Sequence, residues 1–186
     1  MKHEITSYNT KKMIAETFKT LMEKKTVSKI TVSEIIKECS INRKTFYYHF
    51  EDIYALLRWI FEDEIIAKIK EYDFCSDYEK VLLFIGNYFF ENNYIQSCVN
   101  DSFGRDIMRN YLYPDIFGCI KNTINEKEKE KNFIFEPEFK EFMAKFYAEA
   151  TAGILIDMAK EKDDKKREKY IEHISHIVEM QFRLAE

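Results

Sequence analysis

The stretch TVSEIIKECSINRKTFYYHFED, residues 31–52, decides the fold. Thr31 and Glu34 have the spacing of a capping box, in which the threonine hydroxyl accepts from the Glu34 backbone N–H and the Glu34 carboxylate reaches back. The helix it opens, over about 32–39, turns Ile35 and Ile36 inward. Residues 40–42 then make a turn, and Asn42 is a good N-cap for a helix over 43–50. Asp52 caps the next helix, which carries Leu56, Leu57, Ile60 and Phe61. Upstream, residues 8–25 put Ile14, Phe18 and Leu21 on one side, with Lys11, Lys12, Lys19 and Glu23 elsewhere, so this too is an amphipathic helix. Three short helices, the second and third joined by a tight turn, follow the helix-turn-helix plan.

At about 100° per residue, Phe46 and Phe50 share the inward side of the third helix. Lys44, Thr45, Tyr48 and His49 spread over the opposite side, with Tyr47 at the margin. Cations, hydroxyls and an imidazole on one face suit a DNA groove: Arg and Lys reach guanine edges or phosphates, a Thr methyl meets thymine methyls, and Tyr hydroxyls donate to phosphate oxygens. The competing reading has the tyrosines lapping over neighbouring helices as amphipathic core edges.

Charge distribution favours the first reading. Residues 1–50 carry ten Lys/Arg against five Asp/Glu, and the rest 19 against 28, within a net charge of −4. A basic front on an acidic body implies an anionic partner, unless it is simply a solvated Lys-rich helix face. Beyond residue 52, longer helices are expected over 53–71, 77–94, 105–129, 138–161 and 165–184, with a shorter piece near 96–102. Connectors fall at 73–77 and around 133–137, and NEKEKEKN (125–132) is a solvated helix end. Only four Gly and two Pro occur, and no strand-like alternation is sustained, so the chain reads as all-α with about nine helices.

The longest apolar run, VLLFIGNYFF at 81–90, is too short to span a bilayer, and MKHEITSYNTKK lacks a signal-peptide core. Cys39, Cys75, Cys98 and Cys119 are scattered, as expected of reduced thiols in a cytoplasmic protein. His173 and His176 stand at i, i+3 without a third ligand, so surface or interface histidines explain them better than a metal. There is no nucleophile elbow, Walker loop, dinucleotide fingerprint or matched buried carboxylate pair. The sequence therefore implies no catalytic residue, metal or cofactor.

ITVSEIIKECSINRKTFYYHFEDIYALL (30–57) resembles the DNA-binding segment of the TetR family of bacterial transcription regulators, over roughly residues 8–62. That resemblance implies operator contacts from Thr31 and Ser33 at the start of the second helix. It also implies them from Asn42, Arg43, Lys44, Thr45, Tyr47, Tyr48 and His49, with Tyr47 as the phosphate-binding tyrosine and Phe50 as the buried aromatic. Two positions depart from the family pattern. Ser40 stands where Gly is common, at a cost of about 1 kcal/mol if φ is positive there. Ile53 stands where Lys is common, which would remove a phosphate contact. LLRWIFEDEI (56–65) and FYAEATAGILIDMAK (146–160) resemble the branch related to activators of dihydroxyacetone kinase operons.

The expected organisation is a DNA-binding domain over 1–52 and an antiparallel helical bundle over 53–186 that dimerises and senses a signal. A palindromic operator needs two recognition helices about one DNA turn apart, hence a homodimer. Its interface is expected on the last two helices: Ala148, Ala150, Ala152 and Gly153 permit close approach, and Ile171, Ile174, Val178 and Phe182 form an apolar stripe. The competing reading buries both helices within one subunit. Phe84, Tyr88, Phe103, Met108, Tyr111 and Phe117 either line an effector pocket, as the family implies, or are plain core. In the kinase-operon branch the signal can instead arrive through a partner protein. The functional expectation is a sequence-specific transcriptional regulator modulated by a small molecule or such a partner. The alternatives are a helical protein-interaction co-regulator or, least supported, a helical enzyme.

Overall fold

The caps read from residues 31–52 all form in the structure, a computed structural model. It describes residues 2–72, 74–132, 134–161 and 163–183, without the side chains of 2–5, 74–79, 131, 164, 167, 175 and 178–183. The N-terminal unit is α1 (Lys2–Met22), a 3₁₀ turn (Val27–Lys29), α2 (Val32–Glu38) and α3 (Arg43–His49). Thr31 closes its capping box: the Oγ1 accepts from Glu34 N at 3.3 Å, and Thr31 N donates to Glu34 Oε2 at 2.9 Å. Asn42 Oδ1 accepts from Thr45 N at 2.8 Å, and Asp52 Oδ1 from Ala55 N at 2.6 Å.

The turn between α2 and α3 is a Schellman motif. Ser40 N donates to the Lys37 carbonyl at 3.2 Å and Ile41 N to the Ile36 carbonyl at 3.1 Å. Ser40 sits at φ 54°, in the left-handed region that favours glycine. The expected turn forms, with a residue that suits its left-handed position less well than glycine.

From Asp52 the chain enters α4, which runs over Ile53–Phe61, widens into a π-helical turn at Glu62–Ile66 and finishes over Ala67–Ile69. The body continues with α5 (Phe74–Glu91), α6 (Tyr94–Asn100), α7 (Ser102–Lys131), α8 (Pro137–Lys160) and α9 (Asp164–Arg183). Among the described residues every regular element is thus helical, and none is long and apolar enough to cross a membrane.

Several boundaries moved: the first helix runs Lys2–Met22 where 8–25 was expected, and α5 starts at Phe74 inside the expected connector; two further shifts have identifiable reasons. The break expected after residue 102 falls at Asp101, because its Oδ1 accepts from the Phe103 and Gly104 N–H groups and starts α7 there. A Cβ on Gly104 would lie 2.7 Å from the Cys98 carbonyl oxygen, so this sharp α6–α7 corner requires glycine. Further along, α7 tolerates an internal Pro114 and ends at Asn132, whose φ of 52° Asn accepts better than most residues.

One apolar core links the N-terminal unit to the body. Ile14, Phe18, Ile35 and Phe46 from α1–α3 meet Leu56, Leu57 and Ile60 of α4, and burial continues through Ile85, Tyr94, Met108 and Leu155. The α8 helix packs along α7 and buries Ala144, Ala148, Ala152, Leu155 and Ala159. Small side chains there let the two helix backbones approach closely.

Candidate nucleic-acid interface

The third helix divides by side as its spacing predicts. Phe46 is fully buried and Phe50 nearly so, their ring centroids 6.0 Å apart. Tyr47 is 48% exposed and Tyr48 69% exposed, and Lys44 is exposed beside them. Tyr47 keeps its ring edge against Phe46 at 5.5 Å, which aims its body while leaving the hydroxyl outward.

The remaining residues named from the sequence spend their polar atoms unequally. Asn42 Oδ1 also accepts from the Thr45 hydroxyl at 3.1 Å, so both serve the cap first. Thr31 Oγ1 donates to Glu34 Oε2 at 2.9 Å. Arg43 Nη2 donates to Ser33 Oγ at 2.7 Å, which joins the start of α3 to the exposed side of α2 and holds the guanidinium in place. His49 is half-buried, 4.9 Å from the Tyr48 ring; burial, with help from the Lys11 charge, holds its pKa below the usual 6.5. The imidazole is accordingly a neutral hydrogen-bonding group at neutral pH.

Two features escaped the sequence. Lys11 of α1 lies 5.7 Å from the Phe50 and Trp59 rings, which brings a cation to the edge of the α3 surface. No spacing rule on α1 foretells that contact. Conversely, part of the basic excess does not face outward. Lys12 pairs with Asp63 at 2.7 Å, Lys19 with Glu64 at 3.0 Å, and Lys25 with Glu34. Ile53, where a lysine was noted as common, is buried at the start of α4.

In the body, α8 has two apolar faces. Opposite the buried alanines runs an outward line of Phe139, Phe142, Phe146, Ala150 and Gly153, all exposed and within about 80° of one another on the helix. The structure therefore separates the small residues: Ala148 and Ala152 serve the subunit's own core, whereas Ala150 and Gly153 face out. The three phenylalanines were not singled out from the sequence, although their 3- and 4-residue spacing was there to read. On α9, Ile174 is buried, and Ile171 is half-buried against Gly86 of α5, so both pack inside the subunit. Val178 and Phe182 lie outside the described side chains. His173 and His176 are exposed, and among the described residues no cluster of three or more His, Cys, Asp and Glu could hold a metal.

The side chains expected around an effector scatter. Phe84 and Tyr88 lie 6.2 Å apart, and Tyr88 donates to Glu64. Phe103 is exposed and stacks on Tyr54 at 4.7 Å. Met108 is buried, while Tyr111 and Phe117 are half-buried, the latter stacked on Tyr113. A cavity of about 20 Å³ opens elsewhere, between Ile66, Leu82, Leu112, Leu155 and Asp115, with room for about one water. Burial pushes the Asp115 carboxyl above its usual range, against the pull of Lys70.

Known proteins share this plan. Residues 17–60 match the family profile described as bacterial regulatory proteins, tetR family. Residues 76–180, more than half the chain, match the profile described as transcriptional regulator C-terminal region. The HTH-type dhaKLM operon transcriptional activator DhaS of Lactococcus lactis subsp. lactis (strain IL1403) is 28% identical over 147 residues, which is 78% of this chain and 76% of that protein. A solved structure of a dihydroxyacetone kinase operon activator DhaS has a TM-score of 0.71 at 24% identity, covering 94% of this chain and 97% of the other, and shows the shared fold.

Proposed function

The chain belongs to the TetR family of DNA-binding transcriptional regulators, which are not enzymes, and from that premise we propose that it binds a palindromic operator as a homodimer in the cytoplasm. Residues 1–52 form the DNA-binding unit in this reading, and 53–186 the body that dimerises and receives a signal. The observation that carries it is the outward surface of α3: Lys44, Tyr47 and Tyr48 project from a helix capped by Asn42 and anchored by Phe46 and Phe50. Thr31, Ser33, Arg43, Thr45 and His49 complete the contact, the first two at phosphates near the start of α2.

The second copy covers the outward line of α8, so that Phe142 and Phe146 join Ala150 and Gly153 at the two-fold axis, with exposed Ile177 of α9 beside them. The likeness to DhaS supports control of a dihydroxyacetone kinase operon. The signal enters through the body, as a small molecule in its core or as a partner protein on its surface, and shifts α4 and with it the spacing of the two α3 helices.

Fluorescence anisotropy with the upstream intergenic DNA, over a salt series, tests this reading. A steep salt slope with sequence preference is expected, and Lys44→Ala with Tyr47→Ala should weaken binding without unfolding the protein. Equally weak binding to every duplex would leave a protein-interaction module instead.

A further inference from the structure

The N-terminal unit meets the body at two polar nodes, one half-buried and one buried. The first is Glu64, in the π-helical turn of α4, with a side chain 12% exposed. It accepts from Lys19 at 3.0 Å and Lys12 at 3.4 Å on α1, and from the Tyr88 hydroxyl of α5 at 2.5 Å. The Tyr88 hydroxyl in turn lies 2.7 Å from that of Tyr94 on α6, which is almost fully buried, and the Lys19 ammonium sits 5.8 Å from the Tyr94 ring. Next to it, Asp63 holds Lys12 at 2.7 Å and accepts from Tyr8 at 3.3 Å.

The second node is Asp101, the one buried charged residue among the described residues. Its Oδ1 starts α7 by accepting from Phe103 and Gly104 N–H groups, while its Oδ2 accepts from Ser28 N at 3.2 Å and Ser28 Oγ at 2.5 Å. Ser28 belongs to the 3₁₀ turn that leads into the α2 cap. Ser97 of α6 adds a bond to the Lys25 carbonyl at 3.0 Å.

Each carboxylate therefore takes partners from both the N-terminal unit and the body. Apolar contacts between helices resist separation but tolerate small sliding and tilting, whereas directional bonds to a desolvated charge do not. Such nodes add little net stability, because desolvation consumes most of the attraction, and their characteristic effect is to select one arrangement. In a dimer, the orientation of each N-terminal unit on its body sets the distance between the two α3 helices.

We propose that the Glu64 and Asp101 nodes are positioning elements for operator binding, fixing the separation of the paired recognition helices by locking each N-terminal unit onto its body. The inference rests on the reading of paired α3 helices above. It makes Tyr88, Tyr94 and Ser28 positioning residues, acting through the carboxylates and not through DNA contact.

The test uses the full-length protein and duplexes selected from a random pool by the wild type. Those duplexes are then remade with the half-sites one base pair closer or farther apart. Tyr88→Phe and Ser28→Ala each remove one hydroxyl and keep the apolar packing. Each should bind the selected duplex about five- to tenfold more weakly. Discrimination between spacings should shrink, while the salt slope stays at the wild-type value because no phosphate contact is lost. A general loss of folding would move thermal stability and helix content, and in that event Tyr94→Phe and Asp101→Asn are read in the same way. Wild-type affinity and spacing preference in well-folded variants would overturn the proposal. A wild type indifferent to spacing overturns the paired-helix reading first, before any variant is made.

Discussion

Replacing Ser40 with glycine should stabilise the protein. Ser40 occupies the left-handed position of the α2–α3 Schellman turn, at φ 54°, where an L side chain costs about 1–2 kcal/mol. Both bonds of the motif, Ser40 N to Lys37 O and Ile41 N to Ile36 O, are made by the backbone and survive the change. The glycine variant recovers the strain but loses about 0.4–1 kcal/mol to the greater freedom of its unfolded chain. The net gain is then centred on about 0.8 kcal/mol, or about 2–3 °C in Tm for a chain of this size. Thermal and urea unfolding of S40G, S40A and wild type measure it. S40A keeps a Cβ at positive φ and should stay near wild type. A glycine variant no more stable than wild type, or equal gains in both variants, would refute the strain argument.

Other outcomes are equally open to measurement. Gly118 and Gly104 lie on the same helix but should respond oppositely to alanine. Nothing lies within 4 Å of a Cβ at Gly118, so Gly118→Ala should raise stability by about 0.5–1 kcal/mol. At Gly104 the new Cβ meets the Cys98 backbone, and Gly104→Ala should lower it by about 1–3 kcal/mol; urea midpoints decide both. Glu34 has its pKa held down from 4.5 to about 2, first by Lys25 and then by the Thr31 backbone and hydroxyl. Its folded value lies below its unfolded one, so its contribution is complete above pH 4.5 and disappears as pH falls through about 2. Tm should therefore fall less steeply over that window in Glu34→Gln than in wild type. Finally, Phe142→Glu with Phe146→Glu puts four carboxylates at the two-fold axis of a dimer. Sedimentation should show a monomer with weakened operator binding; an unchanged dimer would move the interface elsewhere.

The N-terminal unit was readable because its determinants are local. Thr31 with Glu34, Asn42 with Thr45 and Asp52 with Ala55 are each three residues apart, and Phe46 with Phe50 four apart, distances that helix geometry alone converts into contacts. The turn at residues 40–42 was likewise foreseen, whereas its left-handed conformation was raised only by the family's common glycine at that position. Lys12 and Lys19 were counted toward an anion-facing surface, yet they are spent on Asp63 and Glu64 more than forty residues away. Tyr88 was read with the effector aromatics, and its hydroxyl instead joins Glu64 and Tyr94.

By itself the sequence determined that the chain is helical, where α2 and α3 start and stop, and which side of α3 faces out. Those properties follow from 3.6-residue periodicity and from caps that operate within one turn. Only the tertiary structure decided which cations remain at the surface and which small residues of α8 are core. It alone showed that Glu64 and Asp101 tie the two parts of the molecule together. Such assignments depend on how whole helices cross, and a helix pattern states which face is apolar without stating what that face will meet.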